Sequence, residues 1–149
     1  MSEVEPNETT LHLVRLIPAA PEALFRLWTE PAHLVRWWAP EGCEASVHAL
    51  ETRPGGRRRI VLRLPDRSEL AMSGVYLAVD PPRRLAFTWA WEDADGVRGH
   101  ETEVSVSFEP ASGGTRLVLV QQHFESKQAR GRHTAGWSTS FDRLTGIAG

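Results

Sequence analysis

Cysteine occurs once in the 149 residues, at Cys43, so the chain has no internal disulfide and is not a disulfide-framed module. A dominant charge sign is also missing. The 17 basic and 19 acidic residues leave a formal net charge of −2, without the basic footprint of an electrostatic nucleic-acid binder. Lysine is confined to Lys127, so the basic residues are otherwise arginine. No apolar run approaches the roughly 20 residues of a membrane span. The segment 1–10 carries Glu3, Glu5 and Glu8 and no apolar stretch, so it does not read as a signal peptide and is expected to be frayed. These absences predict a cytoplasmic chain with one domain over 11–149, as monomer or homodimer. A domain of about 150 residues buries roughly 70% of its unfolded surface, enough for a core without staples.

What the sequence does contain is periodicity. Leu11 to Ile17 is dense in apolar and β-branched residues, which predicts a strand ended by Pro18. Pro21 and Glu22 suit a first helical turn, and Ala23, Leu24, Leu27 and Trp28 follow at helical spacing over 21–28. Thr29 is the expected cap of a second helix carrying Leu34, Val35 and Trp38 on one face and stopped by Pro40. From 44 to 124 the period becomes two. Six segments alternate between turns such as Pro54-Gly55-Gly56, Pro65-Asp66-Arg67-Ser68, Asp93-Ala94-Asp95-Gly96 and Gly113-Gly114, which predicts an antiparallel meander. Gly74, inside the strand from Leu70 to Val79, marks a bulge or a close approach. Ala129, His133, Trp137, Phe141 and Leu144 then define a long amphipathic helix over about 127–146, closed by Gly146. The fold class is α+β, one antiparallel sheet wrapped on a C-terminal helix.

Several strings occur in a telling order: Ala19-Ala20-Pro21-Glu22, Trp28-Thr29-Glu30-Pro31, Arg36-Trp37-Trp38-Ala39-Pro40, Arg53-Pro54-Gly55-Gly56, Gly74-Val75-Tyr76, Pro81-Pro82-Arg83-Arg84-Leu85, Gly114-Thr115-Arg116-Leu117 and Gly136-Trp137. As a set they resemble the activator of heat shock protein 90 ATPase homologue family, within the START/polyketide-cyclase-like (SRPBCC) superfamily, over roughly residues 11–146. The resemblance implies a helix-grip fold with seven antiparallel strands and a deep apolar cavity. It implies no single activity, because members include binders of apolar molecules, cyclases and chaperone regulators. Relatives often carry an aromatic residue two positions after the second glycine of Arg-Pro-Gly-Gly, where this chain has Arg58.

Parity selects the candidate site. Trp89 and Trp91 share one strand face, and Trp137 and Phe141 face the sheet from the long helix. With Met72 they are expected to enclose the cavity. Adjacent helical residues point about 100° apart, so of Trp37 and Trp38 one can plug the sheet and the other face the pocket or solvent; the spacing does not choose between gate and plug, and Trp37 stands as a candidate ligand-binding residue. His100, Thr102 and Arg58 share faces with apolar residues and are expected to supply the polar contacts. No Ser/His/Asp set, Gly-x-Ser-x-Gly elbow or phosphate loop occurs, and His123 and His133 lack a carboxylate at ligand spacing. No metal and no cofactor is expected, and Cys43 reads as a packed or idle thiol. The leading functional expectation is a binder of a small apolar ligand. The alternatives are an acid/base enzyme using His100, Arg58 and Tyr76 in the same cavity, and a module that contacts a chaperone.

Overall fold

A computed structural model describes residues 9–39 and 42–148. The chain runs β1 (Thr10–Ile17), α1 (Pro21–Thr29), α2 (Pro31–Leu34), β2 (Glu44–Leu50), β3 (Arg57–Arg63), β4 (Glu69–Asp80), β5 (Arg84–Glu92), β6 (Thr102–Ala111), β7 (Gly114–Gln122) and α3 (Lys127–Ala148). The strands form one seven-stranded sheet ordered β1-β7-β6-β5-β4-β3-β2, with every pairing antiparallel. Five short turns dictate nearest-neighbour pairing from β2 to β7. The one long connection, through α1 and α2, carries the chain between the two sheet edges. This is the helix-grip fold.

Alternation decides which face is inside. On β6, Thr102, Val104, Val106 and Phe108 are buried while the residues between them are not. The inward residues of β5, β6 and β7 meet Phe141 and Leu144 of α3 and Leu24, Phe25 and Trp28 of α1 in one apolar core. Pro21 opens α1 with Glu22 in its first turn, as the helix dipole favours. Ser126 caps α3, its hydroxyl accepting a hydrogen bond from the Ala129 amide at 3.1 Å.

Three local expectations are corrected. The second helix does not reach Trp38; α2 is a single turn, and Val35 to Trp37 continue as turns. Thr29 does not cap it. Its hydroxyl donates back to the Phe25 carbonyl at 2.9 Å, and the cap position falls to Glu30 without a side-chain bond. Gly146 does not close α3, which continues to Ala148 because Leu144, Ile147 and Ala148 still pack on the core. Thr10, the last residue of the segment expected to be frayed, opens β1; residues 1–8, and the helix stop at Pro40, lie outside the described residues.

Candidate functional site

All six tryptophans join one cluster. Trp37 lies 4.7 Å from Trp28, and Trp28 is stacked on Trp137 at 6.0 Å. Trp137 meets Trp38 at 5.2 Å, Trp38 meets Trp89 at 5.6 Å, and Trp89 meets Trp91 at 5.6 Å. One end of this chain of rings is solid, with Trp28, Trp37, Phe108 and Phe141 almost wholly enclosed. The other end borders a cavity of about 420 Å³.

Two elements and a loop build the cavity. The sheet contributes Leu62, Met72, Trp89 and Trp91, and the register places Met72 directly opposite Trp91. Helix α3 contributes His133, Gly136, Trp137 and Ser140 at three- and four-residue steps, the spacing of one helical face. Trp38 closes the wall from the loop after α2, whose backbone is tied to α3 through the Ser140 hydroxyl, donating to the Trp38 carbonyl at 2.8 Å, and through Arg143 to the Ala39 carbonyl. The cavity reaches the surface where Leu70, Glu125 and Arg132 are exposed.

Few polar groups face this space, and most are engaged. Trp137 Nε1 donates to Gln121 Oε1 at 2.9 Å, Gln121 Nε2 donates to Thr102 Oγ1 at 2.8 Å, and Thr102 Oγ1 donates to the Trp89 carbonyl at 3.3 Å. This buried relay orients the Trp137 ring from behind. His133 Nδ1 lies 2.9 Å from the Ala129 carbonyl and so holds the proton, which leaves Nε2 to accept from Trp91 Nε1 at 3.0 Å. Both ring nitrogens are occupied, so His133 here holds Trp91 in place and has no free lone pair for general-base work.

Burial holds the His133 pKa below its ordinary value, with the Ala129 carbonyl opposing that shift. In the unfolded chain the imidazole binds a proton near its ordinary value of about 6.5; in the folded chain it resists. The unfolded state therefore holds more protons between the two values. His133's contribution to stability is full above about pH 6.5 and falls as pH drops through that value. The expected result is a wild-type unfolding midpoint that declines from pH 7.5 to 5.5 more steeply than that of His133→Phe. Equal slopes would show that the ring is not a neutral partner of Trp91.

A second polar feature lies behind the cavity wall. Arg58 is 4% exposed, with its guanidinium carbon 3.7 Å from the Phe87 ring centroid, 5.3 Å from Tyr76 and 5.6 Å from Trp38. Burial pulls its pKa below the usual arginine range, against an opposing influence from the Tyr76 phenol. Arg58 Nε and Tyr76 Oη nevertheless make no hydrogen bond to each other or to any described residue. Trp28 Nε1 and Trp89 Nε1 are likewise buried without a partner.

The structure sorts the residues singled out by sequence. Met72, Trp89, Trp91 and Trp137 meet around the cavity. Trp38 takes the pocket wall and Trp37 the plug, so Trp37 is not among the residues that line the cavity. The Trp37 ring is fully enclosed, and its Nε1 donates to the Leu27 carbonyl at 2.8 Å. Phe141 sits one layer deeper, 5.9 Å behind Trp137, and Thr102 is committed to Gln121 rather than to the cavity. Arg58, expected to supply a polar contact, does not line the cavity; it is enclosed beyond Trp38. His100 is the clearest correction. It lies exposed ahead of β6, with Nε2 against the His123 carbonyl, because the chain joins β6 only at Thr102 and parity does not extend across the break. Sequence reasoning did not single out His133, Ser140, Leu62 or Gln121 as site residues. His133 and Ser140 share the helical spacing of Trp137, and Gln121 shares the inward parity of Leu117 and Leu119, so each carried a signal.

Comparison with known proteins gives a consistent result. The family model described as Activator of Hsp90 ATPase homolog 1-like protein matches residues 18–149. No curated protein matches. The crystal structure of the AHSA1 protein of Silicibacter pomeroyi is 33% identical, with a TM-score of 0.85, covering 93% of this chain and 96% of that one. A protein of Chromobacterium violaceum is 26% identical with a TM-score of 0.86 over 94% and 96%. A solution structure of a protein from Arthrobacter aurescens, 20% identical with a TM-score of 0.87 over 99% and 91%, shares the fold.

Proposed function

The chain belongs to the Activator of Hsp90 ATPase homolog 1-like family, and from that premise we propose that it reversibly binds one small apolar molecule between sheet and α3. The observation that carries this reading is the tryptophan-walled cavity of about 420 Å³ that reaches the surface beside Leu70. That volume lies within the roughly 300–1,000 Å³ of small-molecule sites, and its wall is apolar with few polar groups, as such sites require. Binding without turnover is the better-supported form of the proposal. His133 is engaged at both nitrogens, and His100 lies away from the cavity. The proposed place of action is the cytoplasm. Among the described residues no helix is long and apolar enough to cross a membrane.

Gly136 supplies the test. It lines the cavity, and a Cβ there would meet no atom within 4 Å. Leucine at this position fills the space without strain and replaces a helix-weakening glycine, a gain of up to about 1 kcal/mol. The neutral dye N-phenyl-1-naphthylamine is expected to quench tryptophan fluorescence saturably in the wild type. Gly136→Leu should bind it at least tenfold more weakly while unfolding at an equal or higher temperature. A wild type that does not bind, or a Gly136→Leu protein that binds unchanged, removes the cavity from the account.

A further inference from the structure

Arg58 stands on the inner face of β3 with Ile60 and Leu62 and is almost wholly buried. Three neighbouring arginines find carboxylates: Arg57 and Arg53 reach Glu51, and Arg59 reaches Glu92. Among the described residues no carboxylate pairs with Arg58. Contact with the faces of Phe87, Tyr76 and Trp38 offsets part of the cost of burying its charge. It leaves Nε without a hydrogen-bond partner, and a buried charge is stable only when paired and hydrogen-bonded.

The unpartnered atoms around Trp38 share one character. Arg58 Nε, Tyr76 Oη and Trp89 Nε1 all carry a proton to donate. Arg58 and Trp89 both contact the Trp38 ring, and Tyr76 adjoins Arg58. Arg58 Nε and Trp89 Nε1 can only donate and the Tyr76 hydroxyl can donate as well as accept, so a group that accepts suits all three. A carboxylate does so with two oxygens, and its shape matches the guanidinium fork. An alcohol or an amine would bring further donors to a place that has enough. The Trp38 ring belongs at once to the cavity wall and to the surroundings of Arg58. Its carbonyl is held by Ser140, so admitting a head group past this point requires rotation of the ring rather than of the backbone.

We propose that the ligand of this cavity is an apolar carboxylic acid, whose carboxylate passes the Trp38 ring and is received by the Arg58 guanidinium and the Tyr76 hydroxyl. This rests on the apolar-binding reading above and adds the head group to it. No covalent step is involved. The apolar body stays among Met72, Trp89 and Trp137, and the charge of the head group is neutralised by Arg58 in a water-poor setting.

The test is displacement of bound N-phenyl-1-naphthylamine by decanoate and by methyl decanoate, at a pH where the acid is ionised. The wild type should prefer decanoate at least tenfold. Arg58→Met should lose that preference and still bind the methyl ester. Tyr76→Phe, which keeps the charge and the ring, should weaken decanoate several-fold and leave the ester unchanged; it stands in for Arg58→Met if that protein does not fold. Equal affinity for acid and ester in the wild type overturns the proposal and leaves the apolar-binding reading standing. Failure of both to displace the dye counts against that reading itself. A preference that survives in Arg58→Met and disappears in Arg132→Gln places the anion at the rim and overturns the assignment to Arg58.

Discussion

Trp137→Ala is expected to lower the free energy of unfolding by about 4 kcal/mol, within the range for large aromatic truncations in cores. The ring is 5% exposed and touches Trp28, Trp38, Trp89 and Phe141. Removing it costs the apolar transfer energy, and it also merges the existing cavity with a new one. It further strands Gln121 Oε1, whose only hydrogen-bond donor among the described residues is Trp137 Nε1. A buried acceptor left unpaired costs about 1–3 kcal/mol. One face of the ring already borders open space and gives up fewer contacts, which keeps the expected loss below the upper end. Trp137→Phe separates the two contributions, because phenylalanine keeps most of the area and lacks the N–H; about 2 kcal/mol is expected there. Urea unfolding at pH 7.5 measures both. A loss below about 1 kcal/mol for Trp137→Ala would mean that the relay through Gln121 and Thr102 does not hold the ring.

The division between what was legible in the sequence and what was not follows from the range of each signal. Strand parity is a local property, so Met72, Trp89 and Trp91 could be assigned one face from a handful of neighbours. It fails where the strand does, and His100 was misplaced because nothing local marks the start of β6 at Thr102. Helical spacing gathered His133, Trp137 and Phe141 on one face of α3. It did not tell Trp137, at the cavity, from Phe141, one layer deeper, since that depends on where the sheet curves beneath the helix. The inward facing of Arg58 was likewise readable from Ile60 and Leu62. Its enclosure was not, because Tyr76, Phe87 and Trp38 arrive from β4, β5 and the loop after α2. Side chains brought together by three separate elements leave no trace in the spacing of any one of them.

Gly74→Ala is expected to cost about 3 kcal/mol or more, at the upper end of overpacking effects. The glycine lies in β4 where the ladder to β5 is irregular, between the pair Met72–Trp91 and the shift in register at Tyr76–Ala78. At this place the Val75 amide donates to the Thr88 hydroxyl at 2.9 Å. A Cβ on Gly74 would stand 1.9 Å from the Thr88 carbonyl oxygen, 2.6 Å from its carbon and 2.7 Å from Thr88 Oγ1. The first two are backbone atoms and cannot rotate away, so the strands must part. The contrast with Gly136, which has open space, shows that the requirement belongs to the site rather than to glycine in general. Parting β4 from β5 here also disturbs the neighbouring Met72–Trp91 pair, so weaker binding of N-phenyl-1-naphthylamine should accompany the lost stability. Thr88→Ala distinguishes the two sources of crowding. It removes Oγ1 and leaves the carbonyl, so the double variant Gly74→Ala/Thr88→Ala should recover little of the loss in urea unfolding. Substantial recovery would place the clash on the side chain, and the close approach of the two backbones would then not be what requires glycine at position 74.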